Sequence, residues 1–174
     1  MLPSLRAGQC CKSTAHHFAA LCLLLGLLAT SLSADPRAIP PNTVITLQRG
    51  ACEKRCAVYK VILFADGTCI YQGQYYVRKT GVVLEKVDAG AVKRLINDFA
   101  AIDYFRLRDQ YGITDQVGCS SMLSDAPIAM TSIVAGQKSK SIVHHHRCVG
   151  PVPKQLSQLE DKIDKLANTV RWIK

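Results

Sequence analysis

The alternation of apolar and polar positions predicts a β-hairpin early in the chain. The runs 57–64 (AVYKVILF) and 68–72 (TCIYQ) flank Asp66-Gly67, a dipeptide typical of two-residue hairpin turns. Such a turn sets Phe64 opposite Cys69, so both side chains point to the same side of the hairpin. We therefore expect Cys69 on the side away from the core residues, which are predicted to be Tyr59, Val61, Leu63 and Ile70.

Other segments with strand-like patterns lie on both sides of this hairpin. Residues 44–47 alternate weakly, and 75–86 predicts one or two strands with a bend at Gly81. The runs 128–135 and 138–145 flank Gly136-Gln137 and predict a second hairpin.

Two segments have the apolar spacing of amphipathic helices. Asp88 is a good N-cap for the first, whose apolar stripe is Val92, Leu95, Ile96 and Phe99. The second opens at Pro153 and ends near Asn168, and its stripe is Leu156, Leu159, Ile163 and Leu166. The elements together predict one α+β domain over residues 44–174, with an antiparallel sheet of five to seven strands packed on one face by two α-helices.

Residues 1–34 have the pattern of a signal peptide. Arg6 and Lys12 are the only charged residues in this segment, and the apolar run 18–29 precedes small polar residues ending at Ala34. The run is shorter than the roughly 20 residues that span a bilayer. We expect cleavage near Ala34 and a periplasmic or secreted protein, with an uncleaved membrane anchor as the alternative. The Pro-rich residues 35–43 predict an extended leader.

The chain is basic, with 22 Lys and Arg residues against 13 Asp and Glu and a net charge of +9. Loss of Arg6 and Lys12 on cleavage leaves 20 basic residues and a net charge of +7. The basic residues are scattered, aromatic residues make up only 6%, and no nucleic-acid-binding signature is present. We expect no nucleic-acid partner, and an anionic envelope surface or another protein is the more natural partner outside the cytosol.

Five cysteines remain after the expected cleavage, and outside the cytosol they are expected to oxidise where geometry allows. We favour disulfides Cys52–Cys56 and Cys119–Cys148, which leave Cys69 as a free buried thiol. Spacing does not fix the pairing, and bridges from Cys52 or Cys56 to Cys119 or Cys148 are alternatives. The basic residues between Cys52 and Cys56 would favour thiolate, so a thiol–disulfide function is a third hypothesis, although the spacing is not Cys-x-x-Cys.

The run His144-His145-His146-Arg147-Cys148 is the sharpest chemical feature. On a strand, the period of two places His144, His146 and Cys148 on one face and His145 on the other. Imidazole and thiolate suit Zn or Cu, so these three are candidate metal ligands, with a fourth group from Asp125 or Cys119. The alternative is an exposed strand end with ordinary histidines.

Motifs of hydrolytic enzymes are absent from the sequence: it has no Gly-x-Ser-x-Gly, no His-Glu-x-x-His and no Gly-rich phosphate loop. Asp109, Asp115 and Asp125 lie where they are able to approach His144 or His146, which is the minimum for acid–base work. We assign no catalytic residue and favour a protein that is not an enzyme.

Several short segments resemble the DUF6438 family, a small extracytoplasmic bacterial domain of unknown function. In chain order they are Ala51-Cys52-x3-Cys56-x2-Tyr59, Phe64-x-Asp66-Gly67-Thr68, Tyr71-x-Gly73, Leu95-Ile96-x2-Phe99, Tyr104-Phe105-x-Leu107-x-Asp109-x-Tyr111, Ser124-Asp125-Ala126-Pro127 and Leu159-Glu160-x2-Ile163-Asp164-x2-Ala167-Asn168-x3-Trp172-Ile173. The loop Glu53-Lys54-Arg55 and Ala57 depart from the pattern. The resemblance implies a fold and a compartment but no activity.

These observations rank three functions for the chain. The leading hypothesis is a secreted or periplasmic, disulfide-stabilised domain that acts by binding. The second is a Zn- or Cu-binding protein that uses His144, His146 and Cys148. The third is a thiol–disulfide protein that uses Cys52 and Cys56.

Overall fold

The computed structural model describes residues 39–174, so the predicted signal peptide and the start of the leader lie outside the described residues. The strands are β1 (Val44–Arg49), β2 (Val58–Phe64), β3 (Thr68–Tyr75), β4 (Gly81–Lys86), β5 (Gln110–Tyr111), β6 (Ser121–Met122), β7 (Ile128–Ala135), β8 (Lys138–His145) and β9 (Cys148–Val149). The helices are α1 (Ala89–Ala101), α2 (Pro151–Ala167) and α3 (Val170–Ile173), with a 3₁₀ turn at Tyr104–Arg106. No helix in this part of the chain is long and apolar enough to cross a membrane.

Seven strands form one sheet in the order β4-β3-β2-β1-β7-β8-β5, and β6 pairs with β9 in a separate two-stranded sheet. Neighbours in the large sheet are antiparallel except for β5, which runs parallel to β8. The α+β class is therefore confirmed, and the sheet is mixed because this short strand joins its edge. Strand β1 lies in the middle, between β2 and β7.

One face of the sheet packs against the helices. Burial alternates along the central strands, and the side chains on this face that are withdrawn from solvent include Ile45, Leu47, Val61, Leu63, Ile133 and Ile142. They share a core with the apolar stripes of the helices, formed by Leu95 and Phe99 on α1 and by Leu156, Leu159 and Ile163 on α2. Each large apolar side chain buried in this way contributes about 1.5–3 kcal/mol.

The predicted helix ends are largely confirmed. The Asp88 carboxylate accepts hydrogen bonds from the backbone amides of Gly90 (3.0 Å) and Ala91 (2.9 Å). Asn168 caps α2 in the left-handed conformation, with φ of 51°. Helix α2 begins at Pro151, two residues before the predicted Pro153.

The second hairpin has the predicted two-residue turn, because Ala135 pairs with Lys138. The predicted register of the first hairpin is wrong by one residue, since Leu63 lies opposite Cys69. The turn takes an extra residue because Asp66 accepts hydrogen bonds from the Thr68 amide and hydroxyl, and Gly67 adopts φ of 83°. Cys69 consequently lies on the core face and is 1% exposed.

Two disulfides are present in the described residues. One joins Cys52 to Cys56 within the loop between β1 and β2, and the other joins Cys119 to Cys148 at the start of β9. Cys69 is a free buried thiol. Burial, with the nearby charge of Glu85, raises the pKa of Cys69 to about 11.

We expect the two disulfides to differ in their contribution to stability. The partners are 29 residues apart for Cys119–Cys148 and 4 apart for Cys52–Cys56. In the chain-entropy model, the C119A/C148A variant loses about 3.5 kcal/mol and the C52A/C56A variant loses about 2 kcal/mol. Urea unfolding of the chain from Asp35 onwards measures both losses. Equal losses, or a larger loss for C52A/C56A, would contradict this expectation.

We also expect one titratable thiol in the unreduced chain from Asp35 onwards, and only after unfolding. Cys69 is buried and its thiol is protonated at neutral pH, so it reacts slowly with a thiol reagent in the native protein. Ellman's reagent applied with and without guanidinium measures this difference. More than one thiol in guanidinium would show that a disulfide is missing, and a fast native reaction would show that Cys69 is accessible.

Candidate functional site

A group of polar side chains lies where the buried face of α2 meets the ends of β1 and β8. Arg49 is the last residue of β1. Arg49 and His144 each lie directly opposite Ala129 of β7, so their side chains point to the same face of the sheet, the core face. Glu160 faces the sheet from α2 and its side chain has no solvent exposure, although its neighbours on that face are Leu156 and Ile163. The β-sheet and the helix together therefore bring a carboxylate, a guanidinium and an imidazole into the core.

Glu160 accepts hydrogen bonds from three side chains. Its Oε1 lies 3.0 Å from Nδ1 of His144, and its Oε2 lies 2.6 Å from Nε2 of His146 and 2.7 Å from Nη1 of Arg49. The two imidazole rings stack with their centroids 4.6 Å apart. Burial opposes ionisation of Glu160, but the hydrogen bonds from both histidines and the charge of Arg49 lower its pKa to about 2. Glu160 is therefore a buried carboxylate at neutral pH.

Arg49 also contacts the next turn of α2. Its Nε and Nη2 donate to Oδ2 of Asp164 at 3.1 and 2.8 Å, and Nη2 lies 3.2 Å from Asp161. Burial alone would lower the pKa of Arg49, but Asp164 and Glu160 raise it above its ordinary value.

The second oxygen of Asp164 is bonded as well. Tyr59 donates its hydroxyl to Oδ1 of Asp164 at 2.8 Å, and Thr169 donates to the same atom at 3.1 Å. Burial and the neighbouring Asp164 raise the pKa of Tyr59 above its ordinary value. We call the central group the Arg49 cluster, which consists of Arg49, Tyr59, His144, His146, Glu160 and Asp164.

An open cleft of about 590 Å³ lies beside the Arg49 cluster, where β9 leads into α2. Its walls consist of Ser120, His146, Cys148, Val149, Gly150, Pro151, Pro153, Lys154 and Ser157. His146 belongs to both the cluster and the cleft, and its side chain is 22% exposed. The cleft thus gives solvent and solutes access to one edge of the cluster.

The structure brings only part of the predicted metal-ligand set together. His144 and His146 are neighbours, but Cys148 is bonded to Cys119 and has no thiolate to offer. Glu160 provides the third donor instead, and one ligand atom from each of His144, His146 and Glu160 lies within 4.8 Å of the others. The alternative of an exposed strand end is wrong for His144, which is 1% exposed.

The other predicted polar residues lie apart from the Arg49 cluster. Asp109 bonds to Lys140 and Asp115 pairs with Arg108, while Asp125 lies near His145 on the other side of β8. Cys52 and Cys56 do not line the cleft.

Sequence reasoning missed Arg49 and Glu160 as site residues. Glu160 follows Leu159 and comes four residues after Leu156, so it is a charged residue inside the apolar stripe of a helix. A carboxylate at such a position requires a buried partner, and this is the signal that was available. The sequence alone did not identify Arg49 as that partner, because 111 residues separate the two.

We expect the Arg49 cluster to contribute strongly to stability. Substitution R49M leaves Glu160 and Asp164 without their cation, and loss of one partner of a buried ion pair costs about 3–5 kcal/mol. The control K86M removes the same charge from an exposed pair with Asp66, in which both side chains are 64% exposed, and costs less than about 1 kcal/mol. Urea unfolding at neutral pH measures both. If R49M lowers the free energy of unfolding by no more than K86M does, the Arg49 cluster does not contribute to stability as expected.

Comparison with known families gives a match for this chain. The sequence matches the family described as "Domain of unknown function (DUF6438)" over residues 43–167, which covers most of the described chain. A comparison with curated proteins gives no match. The matched range includes every residue of the Arg49 cluster and the whole wall of the cleft. The chain therefore belongs to the DUF6438 family.

Proposed function

We propose that the mature domain acts outside the cytoplasm as a binding module and that the cleft beside His146 is its binding site. Two features support the compartment. The N-terminal 34 residues have the composition of a signal peptide, and the chain carries two disulfides, which persist mainly in oxidising compartments.

The cleft carries this proposal because of the chemistry of its walls. Ligand sites combine apolar walls with a few placed polar groups. Here Val149, Pro151 and Pro153 supply apolar surface. Polar groups come from Ser120, Ser157, His146 and Lys154.

The polar groups favour an anionic ligand. The Lys154 ammonium forms no ion pair with any residue between 39 and 174, so its charge is available to a ligand. Ser120 and Ser157 offer hydroxyl donors nearby. The net charge of +7 expected for the mature chain attracts anions to its surface. A carboxylate or phosphate group of an envelope component matches these features.

Part of the cleft wall is held in place before any ligand arrives. Glu160 fixes the ring of His146, and the disulfide to Cys119 fixes Cys148. A preorganised wall lowers the entropic cost of binding.

We expect Lys154 to account for much of the affinity for small anions. The test uses the nitrogen-15-labelled chain from Asp35 onwards, titrated with glutarate and with inorganic phosphate in the presence of EDTA. Shifts of the Ser120, Gly150 and Ser157 amides report occupancy of the cleft. Loss of one charged hydrogen bond in K154Q weakens binding by about tenfold.

The matched control is K165Q, which removes the same charge from the same helix but lies outside the cleft. We expect K165Q to bind as the wild type does. Equal weakening by K154Q and K165Q would show only diffuse attraction by net charge, and absence of shifts at the cleft amides with either anion would overturn the proposal.

A further inference from the structure

We propose that His144, His146 and Glu160 form a binding site for one divalent d-block cation, represented by Zn²⁺. The site shares His146 with the wall of the anion-binding cleft, but its other ligands, His144 and Glu160, lie outside that wall, and it does not depend on the function proposed for the cleft. It also differs from the ligand set expected from sequence, since a carboxylate from α2 takes the position assigned to Cys148.

The donor set suits zinc. Two imidazoles and one carboxylate, with a fourth position left for water or another ligand, form a recurrent zinc coordination sphere. Ligand atoms about 2.1 Å from a tetrahedral ion lie about 3.4 Å from one another. One donor atom from each of His144, His146 and Glu160 lies within 4.8 Å of the others. The two oxygens of Glu160 already contact one imidazole each, Oε1 with His144 at 3.0 Å and Oε2 with His146 at 2.6 Å, so the side chains are near the spacing that an ion requires.

The two donors nearest the cleft are already close together. Nε2 of His146 and Oε2 of Glu160 are 2.6 Å apart, and each atom has a lone pair that binds an ion once the hydrogen between them is displaced. Nη1 of Arg49 is 3.2 Å from the same nitrogen and 2.7 Å from the same oxygen. A guanidinium therefore already reaches the two donors that would bind the ion.

The carboxylates around Arg49 outnumber the positive charge that it supplies, so the region is able to bind a further cation. Arg49 is surrounded by three carboxylates, those of Glu160, Asp161 and Asp164. The three carboxylates and the one guanidinium together have two more negative charges than positive ones. A divalent ion neutralises this excess.

Arg49 keeps hydrogen-bond partners when an ion binds to Glu160. Its Nε and Nη2 atoms are bonded to Asp164, and Nη2 also lies near Asp161, so only the contacts of Nη1 with Glu160 and with Nε2 of His146 have to open. The helix therefore keeps its attachment to β1 in the metal-bound state.

The ion has an entrance from solvent. His146 is 22% exposed and forms part of the cleft wall, whereas His144 and Glu160 lie behind it in the core. His145, the residue between the two histidine ligands, faces the opposite side of β8 and takes no part in this site.

Isothermal titration calorimetry with ZnCl₂ tests the site, using the oxidised chain from Asp35 onwards after EDTA treatment, in a chloride buffer free of chelators, phosphate and carboxylates. We expect one Zn²⁺ per chain. H146Q removes a ligand and weakens binding by about 100-fold or more, since loss of a partner in the outer shell alone costs about 10- to 100-fold. The matched control H145Q also removes one imidazole from the same strand and changes the affinity by less than about threefold.

A second ligand variant, E160Q, keeps the test decisive if one variant fails to fold. H144Q alters a buried side chain, so the conclusion rests on H146Q and E160Q, each checked by near-UV circular dichroism and by the thiol count in guanidinium. E160Q keeps the shape of the glutamate and loses its charge, and we expect about tenfold or greater weakening.

Three results would overturn the proposal. The first is binding of much less than one Zn²⁺ per chain, and the second is equal weakening by H145Q and H146Q, which indicates surface histidines. The third is a ¹¹³Cd resonance in the range of sulfur ligands, which assigns the ion to a cysteine. The anion titration contains EDTA and the zinc titration contains no organic anion, so failure of one proposal leaves the other intact.

Discussion

The guanidinium of Arg49 contacts two carboxylates one helical turn apart, Glu160 and Asp164, and both carboxylates face it because i and i+4 positions lie on the same side of a helix. These contacts fix α2 along its own axis and around it, since a shift by one residue would turn both acids away from β1. The apolar contacts of Leu156 and Ile163 specify the position of the helix less strictly, because apolar surfaces still pack after a small shift, whereas an ion pair with directed hydrogen bonds does not re-form. The core supplies most of the attraction between helix and sheet, and Arg49 determines how the two are aligned.

The same contacts extend to the end of the chain. Asp164 accepts hydrogen bonds from Tyr59 and from Thr169, the residue immediately before α3. Three residues later the ring of Trp172 packs against that of Tyr71 at an angle of 32°, with ring centroids 4.4 Å apart, and the Trp172 carbonyl accepts a hydrogen bond from the amide of Lys79. The C-terminal segment thus closes the core over β3, and the polar cluster and the aromatic contact support each other.

Local sequence signals predicted the parts of this fold that depend on local contacts. The turn at Gly136-Gln137 and the cap at Asp88 are each formed by neighbouring residues, and both were found. The turn at Asp66-Gly67 was located correctly, but its length was not, because the hydrogen bonds that Thr68 donates to the Asp66 carboxylate favour a turn of three residues over one of two. That error placed Cys69 on the wrong face.

The candidate site was harder to predict for a related reason. His144 and His146 were identified because they lie close together in sequence and alternate on a strand. Their carboxylate partner comes from a helix, and its cation comes from a strand near the other end of the domain. Sequence spacing does not indicate contacts between residues so far apart in the chain. The unusual position of Glu160 within an apolar stripe was the one sequence feature that pointed to a buried partner.

The central position of β1 constrains when the domain is able to fold during synthesis. This strand appears early, yet one of its neighbours, β7, begins at Ile128, and the acids that face Arg49 follow after residue 159. A chain that grows from its N-terminus therefore lacks half of its central pairing and the partners of its buried cation until almost all of it has been made. Such a chain is unable to complete its core until α2, which carries the acids that face Arg49, has been made.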